Sequence, residues 1–374
     1  MKTVCELDKC TGCRACIEQC NYEAIFITDS INTINAVIDE SLCVNCGGCE
    51  RVCQVHNPIR TVKPLSWYEG WANDDRIRTE SSSGGAATAL MTKFVEGNGI
   101  VCSCTFLNED FCFAVADKPE DIKQFSGSKY VKSNPEAAFK LVKERLQLGK
   151  SVLFIGLPCQ VAGIMSFLPQ KLHENLFTVD LICHGTPSIT LLDKFLKEHG
   201  YGLNELTDIK FRKKDYFHLY TDEYTPITNG EYRDRYMFSF LKGIIFTENC
   251  YSCPYAQLKR VSDITLGDSW GSKLEEKERK KGVSLILCNS EKGESLLRKT
   301  DITIIPADIN NAILSNKQLS HPSQKPKARE KFFKKINSGV KYDRAVFDCY
   351  PLLFIKQDIK KILLIVYKRL TLTS

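Results

Sequence analysis

Cys10-Thr11-Gly12-Cys13-Arg14-Ala15-Cys16-Ile17-Glu18-Gln19-Cys20 and Cys43-Val44-Asn45-Cys46-Gly47-Gly48-Cys49-Glu50-Arg51-Val52-Cys53 carry the decisive pattern of this chain. Each run places four thiols at the spacing C-x2-C-x2-C-x3-C. Three cysteines at intervals of three wrap one cubane cluster, and the fourth is directed to the neighbouring one. Crossed ligation then assigns Cys10, Cys13, Cys16 and Cys53 to one [4Fe–4S] cluster and Cys43, Cys46, Cys49 and Cys20 to a second. Structural zinc sites favour pairs of cysteines divided by a spacer, which this crowding does not match. The usual proline after the fourth cysteine is missing; Asn21 and Gln54 stand there instead.

Working outward, residues 4–20 align with residues 37–53, an internal repeat with an offset of 33. Between the runs, 24–27 and 34–38 read as short strands joined by the polar turn 28–30. Residues 1–57 therefore form an α+β ferredoxin-like module, too small for a substantial apolar core and dependent on its clusters for folding free energy.

The whole chain has 374 residues, 18 of them cysteine, and a formal net charge of +6. The length implies further domains. The charge excess is too mild to indicate nucleic acid and suits an acidic protein partner. Cysteines clustered at metal spacing in a long chain point to a reducing setting, expected to be the cytoplasm, rather than to a disulfide framework. No leader with an apolar h-region and no 18-residue apolar span is visible.

After a linker at 57–64, strand and helix patterns alternate. Helices are expected at 86–95, 135–148 and 160–168, and strands at 100–106, 151–155 and 177–182. This alternation predicts an α/β domain with a mainly parallel or mixed sheet. Residues 66–190 and 191–310 are read as its two parts, with further strands at 209–212, 264–267 and 283–288. Residues 311–374 read as a basic C-terminal tail. Its apolar-basic stretch, 359–372, suits a helix packed on the protein; peripheral membrane contact is the sharper alternative.

Several groups outside the module carry chemistry. Cys159 and Cys183 each follow a buried strand. In a parallel sheet both fall at the edge where open α/β folds bind ligands. Cys250 and Cys253 form a metal-type pair. Together these four could hold a third cluster or a zinc ion, or be buried free thiols. The small residues of Ser81-Ser82-Ser83-Gly84-Gly85 open a helix, as an anion site or an ordinary helix start. Asp268-Ser269-Trp270-Gly271 ends a strand; Trp270 could pack on a flavin ring and Asp268 orient a hydroxyl, or the segment could be a tight turn over a core Trp. His184, beside Cys183, is the histidine best placed for proton transfer. Cys5, Cys102, Cys104, Cys112, Cys288 and Cys349 lack a partner pattern and read as inert thiols.

Taken in order, 82–90, Gly127-Ser128-Lys129-Tyr130-Val131, Gly156-Leu157-Pro158-Cys159-Gln160, 180–185 and 263–268 resemble the signatures of the coenzyme F420 hydrogenase/dehydrogenase β-subunit family. The resemblance implies an iron–sulfur oxidoreductase that binds FAD, with Ser82, Ser83, Gly84, Gly85, Lys129, Asp268 and Trp270 at the flavin. It also favours a third [4Fe–4S] cluster at Cys159, Cys183, Cys250 and Cys253. His184 and Lys129 are the implied catalytic groups. A ferredoxin-like or other redox protein would donate electrons and a small molecule, possibly F420-like, would accept a hydride. The alternative is a non-catalytic electron-transfer subunit of a larger complex.

Overall fold

In the computed structural model, residues 2–221, 223–228, 234–356 and 359 are described. Strands are numbered in chain order. β1 (Lys2–Thr3), β2 (Ile25–Ser30) and β3 (Thr33–Ile38) form an antiparallel sheet in the order β1-β3-β2. Ser30 pairs with Thr33, so the hairpin turns at 31–32 rather than at 28–30. Short helices Ala15–Gln19 and Gly48–Arg51 carry the middle of each cysteine run. The repeat extends to the backbone. Gly12 and Arg14 take left-handed φ values of 67° and 60°, and Asn45 and Gly47, 33 residues on, take 55° and 67°. Glycine and asparagine suit that conformation, which turns the chain sharply around a small enclosed volume.

The second unit is built on one eight-stranded sheet. It contains β4 (Ser66–Ala72), β5 (Ile100–Leu107), β6 (Asp110–Ala116), β7 (Val152–Gly156), β8 (Leu176–Leu181), β11 (Ile264–Asp268), β12 (Ser284–Cys288) and β13 (Ile302–Pro306), in the order β13-β4-β12-β11-β8-β7-β5-β6. The central strands β5, β7, β8 and β11 run parallel, and the flanking pairs are antiparallel. The sheet is therefore mixed, and it draws strands from both halves expected from the sequence. β4, β6 and β13 were not expected from the sequence; β4 carries Glu69, β6 starts at Asp110 and β13 has no fully buried position, so none reads as a continuous apolar run.

Period-two alternation sorts the strand residues by face. Val101, Leu153, Ile155, Val179 and Ile264 pack with helix Ala86–Glu96 and helix Glu291–Lys299. Cys102, Val152, Phe154 and Leu176 join helices Ala138–Gln147 and Pro158–Phe167 in one core with the cysteine module. The module is thus seated on one face of the sheet. β9 (Ile209–Lys213) and β10 (Tyr216–Thr221) pair as a hairpin over an aromatic-rich core. Helices Ala328–Asn337 and Tyr342–Cys349 complete that core by burying Phe332, Phe333, Tyr342 and Val346. This part of the expected basic tail is integral to the fold, since its lysines lie on the outer sides of amphipathic helices. Residues 360–372 of the apolar-basic stretch lie outside the described residues.

Candidate metal and redox site

The first cysteine run comes together with the last cysteine of the second. One small cavity is lined by Cys10, Cys13, Cys16 and, from the second run, Cys53. Helix Pro158–Phe167 closes against it at Gly163, where a Cβ would stand 2.8 Å from Cys13 Cβ; no larger residue fits there. Cys20, Cys43 and Cys49 pack beside the same core, and the Asn45 N–H lies 3.4 Å from Cys43 Sγ. Cys46 is exposed.

Cys5, read from sequence as inert, lies in this cavity. Its thiol hydrogen-bonds with Cys10 and Cys53, which raises its own pKa and lowers theirs. Its place in the repeat is held by Ile38, so no spacing rule could flag it.

Cys159, Cys183, Cys250 and Cys253 line one cavity of about 400 Å³. The parallel pairing of β7 and β8 sets the chain segments bearing Cys159 and Cys183 side by side at the C-terminal edge of the sheet. The Cys250–Cys253 arm is fastened to that edge by Arg260. This buried guanidinium donates to the Asp180 carboxylate (2.9 Å), the Leu181 carbonyl (3.0 Å) and the Tyr255 carbonyl (2.9 Å). Burial raises the thiol pKa values of Cys159 and Cys253, and takes Cys183 to about 12 with help from Cys250 and Cys253. A bound metal centre would supply the positive charge that favours the thiolate forms of thiols raised in this way. Among the described residues, no group of three or more His, Cys, Asp or Glu is arranged around a single metal ion.

The two cysteine sites share a polar seam. Gln54 Nε2 donates to the Cys159 carbonyl (2.6 Å) and to Thr11 Oγ1 (3.3 Å), while the Tyr255 hydroxyl donates to Gln54 Oε1. Lys132 Nζ donates to the Thr11 carbonyl at 3.2 Å and lines the 400 Å³ cavity. On the far side of the module, the Glu18 carboxylate accepts from the Phe139 N–H (3.2 Å) and the Lys140 N–H (2.7 Å), capping helix Ala138–Gln147. Glu18 and Lys132 were not singled out in the sequence, and Gln54 only as the residue in place of a proline. The missing proline at position 54 was the one available signal.

The residues expected at a flavin fall into two groups. Gly84 is fixed by packing: a Cβ there would stand 2.5 Å from the Gly70 carbonyl oxygen and 2.7 Å from the Ser284 nitrogen. Gly85 has φ +86° and starts helix Ala86–Glu96. Ser82 Oγ accepts from the Ser128 N–H, and Ser83 Oγ donates to the Val283 carbonyl. Lys129 Nζ donates to the carbonyls of Phe125, Ser126 and Gly127, and burial lowers its pKa.

The second group centres on Arg212 of β9, which the sequence did not single out. Arg212 makes a two-pronged pair with the Asp268 carboxylate (2.7 and 2.9 Å) and donates to the Ser82 carbonyl and the Tyr130 hydroxyl. Its Nε is buried and has no hydrogen-bond partner among the described residues. Lys214 donates to the carbonyls of Arg78 and Ser83. Trp270 is half-buried and turns off Asp268 through a backbone hydrogen bond of 2.9 Å. His184 lines the four-cysteine cavity, and burial lowers its pKa while the Asp268 carboxylate acts in the opposite direction.

No helix among the described residues is long and apolar enough to cross a membrane. Comparison with known proteins matches residues 9–57 to a 4Fe-4S dicluster domain. The chain also resembles an uncharacterized ferredoxin-like protein of Haemophilus influenzae, 41% identical over 58 residues, with 14% of this chain and 63% of that protein covered. This chain thus spans less than two thirds of that relative. A chain of the F420-reducing [NiFe] hydrogenase complex from Methanosarcina barkeri aligns with a TM-score of 0.49 and 20% identity, over 75% of this chain and 97% of that one. Residues 67–139 match the N-terminal part, and residues 149–306 the C-terminal part, of the coenzyme F420 hydrogenase/dehydrogenase β subunit. The two matches run through the whole eight-stranded sheet and both arms of the four-cysteine cavity, and with the dicluster match before them they make this chain an iron–sulfur electron-transfer member of the coenzyme F420 hydrogenase/dehydrogenase β-subunit family.

Proposed function

We propose that this chain is an iron–sulfur flavoprotein oxidoreductase. It takes single electrons from an external redox protein, ferredoxin-like or other, and passes them to a flavin and on to a small-molecule hydride acceptor, F420-like among the candidates. Cys10, Cys13, Cys16 and Cys53 would hold one [4Fe–4S] cluster, and Cys20, Cys43, Cys46 and Cys49 a second. Cys159, Cys183, Cys250 and Cys253 would hold a third. Such clusters supply one-electron transfer. The observation that carries the reading is the gathering of those last four cysteines, from three separate segments, in one cavity joined to the module by Gln54 and Lys132.

Ser82, Ser83, Gly84, Gly85, Lys129, Asp268 and Trp270 would hold FAD. The chemistry a flavin supplies when bound is exchange between single electrons and a hydride. The Arg212 Nε beside Ser82 and Asp268, buried and without a hydrogen-bond partner among the described residues, supports an anionic or hydrogen-bond-accepting ligand there. His184 would supply a proton if the product needs one. A cytoplasmic setting suits exposed thiols such as Cys46.

The test is iron, sulfide and flavin quantitation on protein purified without oxygen. Three clusters correspond to about twelve irons per chain and two to about eight. About twelve irons with one flavin is the expected result. Brown protein without a flavin band would reassign the chain as a carrier subunit whose catalytic partner lies elsewhere.

A further inference from the structure

Lys132 is buried, at 8% exposure, in a place where a cation needs an explanation. Its backbone N–H is tied to the Pro187 carbonyl (2.8 Å), and its side chain runs past Gly12, with Cδ 3.9 Å from where a Cβ on that glycine would stand. The ammonium donates to the Thr11 carbonyl, one residue from Cys10, and also lines the cavity of Cys159, Cys183, Cys250 and Cys253. Among the described residues no carboxylate forms an ion pair with it. A buried charge without a counter-charge is strongly disfavoured. The groups gathered around it are the cysteines of the two sites, since it lines the cavity of Cys159, Cys183, Cys250 and Cys253 and bonds to the residue after Cys10; the Asp29 carboxylate also acts on it, without forming an ion pair.

We infer that Lys132 is a shared counter-cation between the Cys10/Cys13/Cys16/Cys53 site and the Cys159/Cys183/Cys250/Cys253 site, positioned to make both centres easier to reduce. The inference rests on the proposed reading that both sites hold clusters. A cluster with four thiolate ligands is anionic and gains a further negative charge on reduction. A fixed positive charge beside it, shielded from water, therefore favours the reduced form. The Cys20/Cys43/Cys46/Cys49 site shares no residue with the lysine's surroundings and should be much less affected. Lys132 is a positioning residue: it changes the equilibrium for one-electron reduction and takes no part in bond making.

The experiment is an anaerobic redox titration followed by EPR on full-length protein, comparing wild type with Lys132→Met, Lys132→Gln and Lys132→Arg, with iron and sulfide measured on each sample. Lys132→Gln keeps a donor for the Thr11 carbonyl but removes the charge; Lys132→Arg keeps the charge. With iron unchanged, both neutral variants should lower the reduced-to-oxidised ratio of two centres at least tenfold at a fixed potential, a shift of 59 mV for a one-electron couple. Lys132→Arg should stay near wild type, and the third centre should move least. Unchanged potentials in a fully loaded neutral variant would overturn the inference. So would loss of iron from all three variants alike, Lys132→Arg included, which would make the lysine a structural strut whose charge is immaterial. Failure of the underlying reading shows separately, as about eight irons in the wild type before any substitution is made.

Discussion

Gln54 Nε2 lies 2.6 Å from the carbonyl oxygen of Cys159, so the residue following the last cysteine of the ferredoxin-like module is bonded directly to the sheet-edge cysteine of the second unit. Gln54 is buried and also engages Thr11 and Tyr255. Gln54→Leu fills similar space but leaves those polar partners inside without bonds. It should cost about 1–3 kcal/mol in anaerobic denaturant unfolding. The module should also become more accessible to limited proteolysis. An unchanged unfolding midpoint would mean that water replaces these bonds at no cost.

Glu18 caps a helix that belongs to the other unit. Helix Ala138–Gln147 begins at Ala137, which has no side-chain acceptor to offer, and the module supplies the carboxylate instead. Burial raises the pKa of Glu18, while the Lys140 and Phe139 N–H groups favour its ionised form. Glu18→Ala should destabilise the chain by about 1–2 kcal/mol through loss of the cap and of its interaction with the helix dipole. Glu18→Gln should lose less, since the amide oxygen still accepts. Equal losses for the two would show that packing, not hydrogen bonding, dominates.

The Arg212–Asp268 pair is buried on the arginine side and half-buried on the carboxylate side. Removing one partner leaves an uncompensated charge, so Asp268→Asn is expected to cost about 3–5 kcal/mol of stability. The double substitution Arg212→Met/Asp268→Leu should cost less than that single change, because it removes both charges. A double-mutant cycle with unfolding midpoints checks the order. A double variant weaker than Asp268→Asn would indicate that the hydrogen bonds of Arg212 to Ser82 and Tyr130 matter more than the pair.

Lys214 gives a pH dependence with a definite sign. Burial, reinforced by Arg78 and Arg212, lowers its pKa to about 8 from the ordinary 10.5. Between those values the unfolded chain holds a proton there that the folded chain has released. Stability from this group therefore rises as pH goes from about 8 to 10.5. Lys214→Met should flatten this part of the stability profile. A profile that keeps its slope in the variant would assign the slope to another group.

Much of this arrangement was legible in the sequence, for physical reasons that differ by region. The spacing of eight cysteines fixes local geometry, so the crossed grouping of Cys53 with Cys10, Cys13 and Cys16 could be read directly. Buried parallel strands are continuous apolar runs. That made β7 and β8 visible, and with them the common edge of Cys159 and Cys183. Strands such as β4, with Glu69 accepting from Ser269 and Ser272, carry polar residues that only tertiary partners explain. Gln54, Lys132, Glu18 and Arg212 were missed because their roles lie in contacts 56 to 122 residues away in the chain. Helices Ala328–Asn337 and Tyr342–Cys349 read as tail because they lie in a polar, basic stretch and their apolar positions find partners only in the distant aromatic core, where Phe332 and Tyr342 are fully buried.

The central claim is that four cysteines at the edge of the main sheet hold a metal cluster of their own. The most direct measurement is iron and acid-labile sulfide per chain in Cys253→Ser against wild type, both purified without oxygen. The account expects a loss of about four irons and four sulfides, with the two clusters of the module intact. An iron and sulfide content equal to that of wild type would contradict it.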